Sequence, residues 1–164
     1  MTRLVTRDLV FADRAPWILD FHGTFHAPAA EVWAALIDNE RWPVWFEKCK
    51  RCWATSEPFG GVGSTRSIEV NGLRVDEQFI AWEPEVLWAF TATAMRMSFA
   101  TSLVERVTFE PAAPGTTQIL YRMALDPKWW GRPLRRLIAS RAAISFERSF
   151  AALDAHLARQ RGVS

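Results

Sequence analysis

Several residue types are scarce in this sequence, and each shortage excludes a class of protein. Two cysteines and three histidines in 164 residues are too few for a disulfide scaffold, and so few thiols fit a reducing compartment, which predicts a cytoplasmic protein. No run of about 18 apolar residues predicts a membrane span, and residues 1–14 carry charges where a secretory signal would be apolar. Neither charge dominates, with 20 basic and 18 acidic side chains, so no nucleic-acid partner is predicted.

Tyrosine is also scarce, at one residue, whereas the sequence contains nine tryptophans and eleven phenylalanines. A chain of this length with 49% hydrophobic residues has the composition of one globular domain, residues 1–164, with a substantial core. We expect residues 17–161 to form that core and residues 1–16 to form an N-terminal extension. The excess of tryptophan over tyrosine points to a large apolar interior.

Hydrophobic periodicity predicts strands and two short helices. Residues 17–26 alternate with period two, which is typical of a strand. Pro28 and Glu31 then suit the start of a helix over residues 28–37, and a second short helix is expected around Trp42 and Trp45. Six further strands are predicted at 49–55, 64–70, 73–82, 85–93, 99–110 and 116–125. The pair Asn71-Gly72 predicts a two-residue type I′ hairpin.

One long helix is predicted after Pro127, and its apolar stripe is graded. The first half presents alanines, such as Ala139 and Ala142, where the second half presents Phe146, Phe150 and Leu153. Small side chains cannot fill the space opposite a sheet, so the grading predicts a cavity beside the first half. Residues 129–138 do not share this phase and are expected to form a separate turn or bend.

Four motifs, in this order and spacing, carry a resemblance to a known family. They are Phe25-His26-Ala27-Pro28-Ala29-Ala30-Glu31-Val32-Trp33, Trp42-Pro43-Val44-Trp45, Gly61-Val62-Gly63-Ser64, and Phe109-Glu110-Pro111 with Gly115-Thr116. The chain resembles the SRPBCC superfamily of START-like helix-grip domains, and within it the polyketide cyclase/dehydrase-type proteins. The resemblance implies an α+β helix-grip fold. In that fold a seven-stranded curved antiparallel sheet wraps around a long C-terminal helix, with two short helices after the first strand.

The resemblance also implies a hydrophobic pocket between sheet and helix for a lipid, a polyketide or another apolar molecule. It carries no universal catalytic residue, so it leaves open whether the protein is a cyclase or dehydrase. Two other functions are compatible with the sequence. One is a non-enzymatic carrier of lipids or quinones that docks to membranes, and the other is an interaction module that resembles chaperone activators. The oligomeric state is left open.

Strand alternation places three charged side chains among inward-facing apolar residues: Arg66, Glu77 and Glu105. Isolated buried charges are costly, so such groups pair or meet a polar ligand. One interpretation is that they orient the polar end of a ligand, with a carboxyl group of raised pKa acting as acid or base. The alternative is a structural ion pair or a position at the open edge of the sheet.

Five aromatic residues complete the predicted ligand site: Phe79, Trp88, Phe90, Tyr121 and Phe146. Ligand pockets are lined by rigid aromatic side chains with few polar groups, and the hydroxyl of Tyr121 is a candidate partner for a ligand carbonyl. For any one of these residues, ordinary core packing is the alternative.

No metal or cofactor is predicted. Cys49 and Cys52 form a C-x-x-C pair, but they lie in a predicted strand, where residues three apart are expected on opposite faces. They are therefore interpreted as two ordinary thiols rather than a redox or zinc motif. His22 and His26 lie too far apart on their strand to share a metal ion. The glycine-rich residues 60–64 are interpreted as a mobile turn over the pocket mouth.

Residues 128–136 combine four basic side chains with two adjacent tryptophans and no acid. This combination suits a membrane interface, and the residues expected to make that contact are Trp129, Trp130, Arg132, Arg135 and Arg136. The alternative is a solvated basic turn with one tryptophan packed inward.

Overall fold

The computed structural model describes residues 1–96, 99–110 and 112–162, and it contains eight strands and three α-helices. The strands are β1 (Thr2–Arg3), β2 (Trp17–Phe25), β3 (Cys49–Ala54), β4 (Thr65–Val70), β5 (Leu73–Glu83), β6 (Leu87–Met95), β7 (Ala100–Glu110) and β8 (Thr117–Pro127). The helices are α1 (Ala29–Ile37), α2 (Trp42–Trp45) and α3 (Arg135–Gly162). Short 3₁₀ helices cover Leu9–Asp13, Asn39–Arg41 and Trp129–Leu134.

Seven strands form one antiparallel sheet in the order β2-β8-β7-β6-β5-β4-β3, and α3 packs against the inner face of this sheet. The predicted α+β helix-grip fold, with two short helices after the first long strand, is confirmed. The Asn71-Gly72 hairpin is confirmed as well: Val70 pairs with Leu73, and both turn residues have positive φ, 52° and 77°. A type I′ turn requires that conformation at both positions.

The N-terminal residues first pair with strands of the sheet, and residues 9–13 then pack on its outer face. The two residues of β1 pair with the end of β6, and the backbone of Leu4 and Val5 continues this pairing toward Thr93 and Thr101. Ala12 is fully buried in a small cluster against β7 and β8. The segment that is predicted to be an extension therefore covers hydrophobic surface of the sheet. Its strand has only two residues, too few for an alternation of apolar and polar side chains to be visible in the sequence.

The graded stripe of α3 has the predicted effect. Its buried residues all lie at or beyond Phe146: they are Phe146, Ser149, Phe150, Leu153 and Leu157. The predicted bend is real but shorter than expected, because the 3₁₀ helix ends at Leu134 and α3 begins at Arg135. The prediction of a bend is therefore wrong for residues 135–138, which are helical.

The prediction that Cys49 and Cys52 lie on opposite faces of their strand, β3, is wrong. A bulge between Cys49 and Arg51 shifts the pairing with β4, so Cys49 and Cys52 are both buried instead of facing opposite sides. An extra residue in one strand changes the alternation, and the sequence of β3 alone does not reveal it.

Candidate functional site

A cavity of about 730 Å³ lies between the inner face of the sheet and the first half of α3. This volume is within the range of small-molecule sites, roughly 300–1,000 Å³. The side chains of α3 that line it come from Ile138 to Arg148, and they include the small residues Ala142 and Ser145. Trp42 and Phe46 close the cavity on the side of α2.

Arg66 and Glu77 form a buried ion pair in this cavity. They are directly paired across β4 and β5, and the Nε of Arg66 donates to Oε2 of Glu77 at 2.6 Å. The Nη1 of Arg66 also donates to Oδ1 of Asn39 at 3.3 Å. Burial raises the pKa of Glu77, and the Arg66 guanidinium opposes that effect. The pair is thus nearly satisfied internally, as a buried arginine requires.

Aromatic rings surround the Arg66 guanidinium on several sides. The ring centres within 4.4–5.4 Å of its central carbon belong to Trp42, Phe79, Trp88 and Phe90. Cation–π contacts of this kind stabilise a charge that has lost its water. Phe79 and Trp88 accordingly hold Arg66 and do not themselves line the cavity.

Glu105 and Tyr121 form a second buried polar pair, on β7 and β8. The hydroxyl of Tyr121 donates to Oε2 of Glu105. Burial raises the pKa of Glu105 to about 8, and the nearby carboxylate of Glu77 adds to the effect. Burial likewise raises the pKa of Tyr121, as does the carboxyl group of Glu105. Burial thus favours the uncharged form of Glu105 at neutral pH, and this form can donate as well as accept a hydrogen bond.

These four side chains, Arg66, Glu77, Glu105 and Tyr121, are named here the polar floor. All of them line the cavity and are buried. A carboxyl group with a pKa near 8 is suited to either acid or base catalysis at neutral pH. The polar floor can thus offer a proton donor, and the apolar walls can hold the remainder of a ligand.

Six of the eight residues predicted for ligand binding line the cavity: Arg66, Glu77, Phe90, Glu105, Tyr121 and Phe146. Phe79 and Trp88 are buried next to it. The Tyr121 hydroxyl, expected to face a ligand carbonyl, instead contacts Glu105. Contact of these residues with a ligand stays a prediction.

The cavity opens at a mouth that the sequence does not predict. We define the mouth by the exposed lining residues Lys48, Asn71, Arg141, Ile144 and Arg148, with the half-buried Glu47 beside them. Exposed polar residues carry no periodic signal, so only the fold brings them together. The Asn71-Gly72 pair is the usable signal in the sequence, since it fixes the hairpin that forms one side of the mouth.

The glycine-rich turn is not at this mouth. Residues 60–64 precede β4, whereas Val70 and Asn71, which line the cavity, lie at its other end. Gly63 and Ser64 are hydrogen-bonded to the backbone of Phe79. The prediction of a lid over the pocket mouth is wrong for this cavity.

Other candidate chemistry is weak in the described part of the chain. Burial raises the pKa of Cys49 to about 11 and that of Cys52 to about 12, so neither thiol is nucleophilic at neutral pH. Within residues 1–96, 99–110 and 112–162, no group of three His, Cys, Asp or Glu residues could hold a metal ion. His26 instead contacts Asp154 of α3, with 3.0 Å between Nδ1 and Oδ2.

The basic tryptophan segment, residues 128–136, lies at the surface next to the first half of α3. Trp129 is 80% exposed and Trp130 is 44% exposed, so neither tryptophan is buried, and a solvated basic turn stays open as the alternative to membrane contact. Leu134 and Leu137 are exposed beside them. None of the described helices combines the length and the apolar character that a membrane span requires.

Comparison with known proteins gives a family and a fold. Residues 20–158 match the family described as polyketide cyclase / dehydrase and lipid transport. An uncharacterized protein of Mycobacterium tuberculosis is 30% identical over 118 residues, which is 71% of this chain and 70% of that protein. A START superfamily protein from Mycobacterium smegmatis has a TM-score of 0.71 at 16% identity, covering 87% of this chain and 98% of its own. A Thermus thermophilus protein has a TM-score of 0.72 at 14% identity, covering 88% and 99%.

Proposed function

Since this chain belongs to the polyketide cyclase/dehydrase and lipid transport family, whose fold indicates binding of a hydrophobic ligand, we propose that it binds an apolar molecule of lipid, polyketide or aromatic type. The cavity of about 730 Å³ between sheet and α3 carries this proposal. The apolar body of the ligand packs against Phe90, Phe146 and their neighbours. Its polar end meets Glu105 and Tyr121.

Burial of apolar surface is the driving force for this binding. The polar floor adds direction, because a ligand carbonyl or hydroxyl can take a hydrogen bond from the protonated Glu105. A ligand without such a group would leave that carboxyl group less well satisfied, which costs binding energy. We therefore propose an amphipathic ligand over a pure hydrocarbon.

A cavity-filling variant tests ligand binding. Ala142 lines the cavity, so Ala142→Phe should weaken binding of the uncharged fluorescent probe phenylnaphthylamine about tenfold, because overpacking costs about 1–3 kcal/mol. Ala155→Phe is the matched control, since Ala155 is exposed on the same helix and does not line the cavity. Native mass spectrometry of the purified protein should reveal a co-purified molecule that Ala142→Phe lacks. Equal probe binding by all three proteins contradicts the proposed site.

For the cyclase or dehydrase activity that the family permits, Glu105 is our candidate acid or base. In an aldol-type closure or a dehydration, its proton would pass to a ligand oxygen as negative charge develops there. With an identified substrate, Glu105→Gln should lower kcat at least about 100-fold while ligand binding persists. Glu83→Gln is the control at an exposed position on β5. Unchanged turnover in Glu105→Gln rules out this role.

A second candidate, a carrier that docks on membranes, is favoured by the exposure of Trp129 and Trp130. Vesicles that contain anionic lipid should sediment the protein, whereas neutral vesicles should not, because Arg132, Arg135 and Arg136 add electrostatic attraction. The double variant Trp129→Ala/Trp130→Ala should lose this binding. Val62→Ala/Val86→Ala, at exposed sites elsewhere, should keep it. The absence of binding to anionic vesicles contradicts the carrier.

The proposed location is the cytoplasm. Cys49 and Cys52 are both free and buried, as in proteins of a reducing compartment.

A further inference from the structure

The charged residues that line the cavity are unevenly distributed between its floor and its mouth. At the floor, Arg66 is neutralised by Glu77, and the carboxyl group of Glu105 is hydrogen-bonded to Tyr121. A ligand carboxylate at this depth would lose its water next to two glutamates. The guanidinium of Arg66 is already held by Glu77 and Asn39. The floor therefore suits an uncharged group and rejects an anion.

The mouth has the opposite character. Lys48, Arg141 and Arg148 face one acid there, Glu47. Arg148 is committed to that acid, with 2.8 Å between Nη1 and Oε1. No ion pair engages Lys48 or Arg141 in the part of the chain that the structure describes. Lys48 and Arg141 thus lack an ion-pair partner among the described residues, and the neighbouring Glu47, whose pKa Lys48 helps to lower, is itself held by Arg148.

The backbone at Lys48 supports a specific role for this residue. Its φ is 57°, in the left-handed region that residues other than glycine rarely adopt. The amide of Asn71 donates to the Lys48 carbonyl at 3.2 Å, which holds this conformation against the hairpin turn. Nearby, the amide of Glu47 donates to Oγ of Ser149 on α3 at 2.9 Å. The strained residue is fixed between the two sides of the mouth.

From this distribution we infer that the ligand is an anionic amphiphile, held with its charged head between Lys48 and Arg141 and its uncharged end at the polar floor. This inference rests on the proposed ligand-binding function and adds the charge and the orientation of the ligand. The head is a carboxylate or a phosphate, since Lys and Arg bind both. Because the mouth is exposed to solvent, the attraction is moderate and screened by salt.

Competition against phenylnaphthylamine tests the inference with three probes of equal chain length, each with a hydroxyl group at the far end for the polar floor: the 12-hydroxy derivatives of dodecanoate, dodecyl phosphate and dodecanol, which are named by their parent compounds for brevity. We expect the two anions to bind wild-type protein about fivefold more tightly than dodecanol at low salt. A stronger effect for the phosphate than for the carboxylate would identify the head as a phosphate, and the reverse would identify it as a carboxylate. At about 0.5 M salt the advantage of the anions should largely disappear.

The variant Lys48→Gln/Arg141→Gln should lose about fivefold in affinity for the preferred anion and keep its affinity for dodecanol. Lys50→Gln/Arg159→Gln removes the same charge at exposed positions that do not line the cavity, and it should bind like wild type. Glu47→Gln should have the opposite effect and raise the affinity for the anion about twofold, because it frees Arg148 from its ion pair.

The outcomes separate the two proposals. If dodecanol and the anions bind equally, or the mouth variant binds anions like wild type, the inference of an anionic head is overturned while the ligand-binding function stands. If phenylnaphthylamine does not bind, or if none of the three competitors displaces it, the proposed function itself fails and the inference fails with it.

Discussion

Two neighbouring pairs of residues on β7 and β8 allow the environments of polar side chains on the two faces of one sheet to be compared. Glu105 and Tyr121 point inward and are buried. The next residues in the chain, Arg106 and Arg122, point outward and bind Asp13 through contacts of 2.5–2.9 Å. Arg122 also binds Asp20. A shift of one residue along the strand thus separates a candidate ligand site from a surface ion-pair cluster.

The two faces differ in their access to solvent more than in the types of polar side chain that they carry. Outside, the side chain of Asp13 is 53% exposed, and the hydrogen bond from Arg106 lowers its pKa. Inside, burial raises the pKa of Glu105 to about 8. Water reaches the Asp13 carboxylate and weakens its ion pairs, although Arg106 and Arg122 are only 17% and 19% exposed, whereas the absence of water favours the neutral acid inside. Exposed pairs are therefore expected to contribute little, and buried ones to control both stability and ligand choice.

The largest effect is expected from breaking the inner ion pair. Arg66→Met leaves the carboxylate of Glu77 buried without a cation, so the free energy of unfolding should fall by about 3–5 kcal/mol. The double variant Arg66→Met/Glu77→Leu should lose clearly less, because it removes both charges. Urea denaturation of the three proteins measures the difference.

The matched change on the outer face is Arg122→Met, which should cost only about 1 kcal/mol. Equal losses for Arg66→Met and Arg122→Met would show that burial does not distinguish the two faces. A double variant as unstable as Arg66→Met would show that the unpaired charge is not the cause.

The next effect concerns pH. Folding raises the pKa of Glu105, so the folded protein binds a proton that the unfolded chain releases above its ordinary pKa of 4.5. Stability is present below that value and is lost as pH rises toward about 8. Since one pKa unit corresponds to about 1.4 kcal/mol, wild type should lose roughly 3 kcal/mol relative to Glu105→Gln between pH 5.5 and 8. Denaturation in urea across this range measures the loss.

Glutamine resembles the protonated acid and keeps an acceptor for the Tyr121 hydroxyl, so Glu105→Gln should fold at every pH tested. Glu83→Gln, at an exposed site on β5, should follow the wild-type curve. Parallel curves for wild type and Glu105→Gln would show that Glu105 is ionised in the folded state.

Much of this contrast could be predicted from the sequence, because successive side chains of a strand point to opposite faces of the sheet. Arg66, Glu77 and Glu105 share faces with apolar neighbours, and each of them is buried as that pattern requires. The pairing of Arg66 with Glu77 was also available, since counting outward from the two-residue Asn71-Gly72 turn brings them opposite each other. Hydrophobic periodicity and turn residues thus determine the faces and one of the contacts.

The remaining features depend on tertiary contacts. The register between β7 and β8, which joins Glu105 to Tyr121, follows from a longer loop that fixes no pairing. The bulge in β3 depends on its partner strand, and the mouth is formed by exposed residues from three separate segments. Side chains that face solvent leave no hydrophobic pattern, so their convergence appears only in three dimensions.

The smallest predicted effect is on the outer face and has the opposite dependence on pH. The lowered pKa of Asp13 means that its ion pairs stabilise the fold above the ordinary pKa of 3.8, and that this contribution disappears as pH falls. Because solvent screens a half-exposed carboxylate, Asp13→Asn should cost only about 0.5–1 kcal/mol at pH 7. High salt should reduce this cost further, whereas the effect of Glu105→Gln should change little. Urea denaturation at pH 7, with and without about 0.5 M salt, measures the effect of each substitution on the free energy of unfolding. A loss of stability in Asp13→Asn as large as that in Arg66→Met would mean that solvent exposure does not distinguish the two faces.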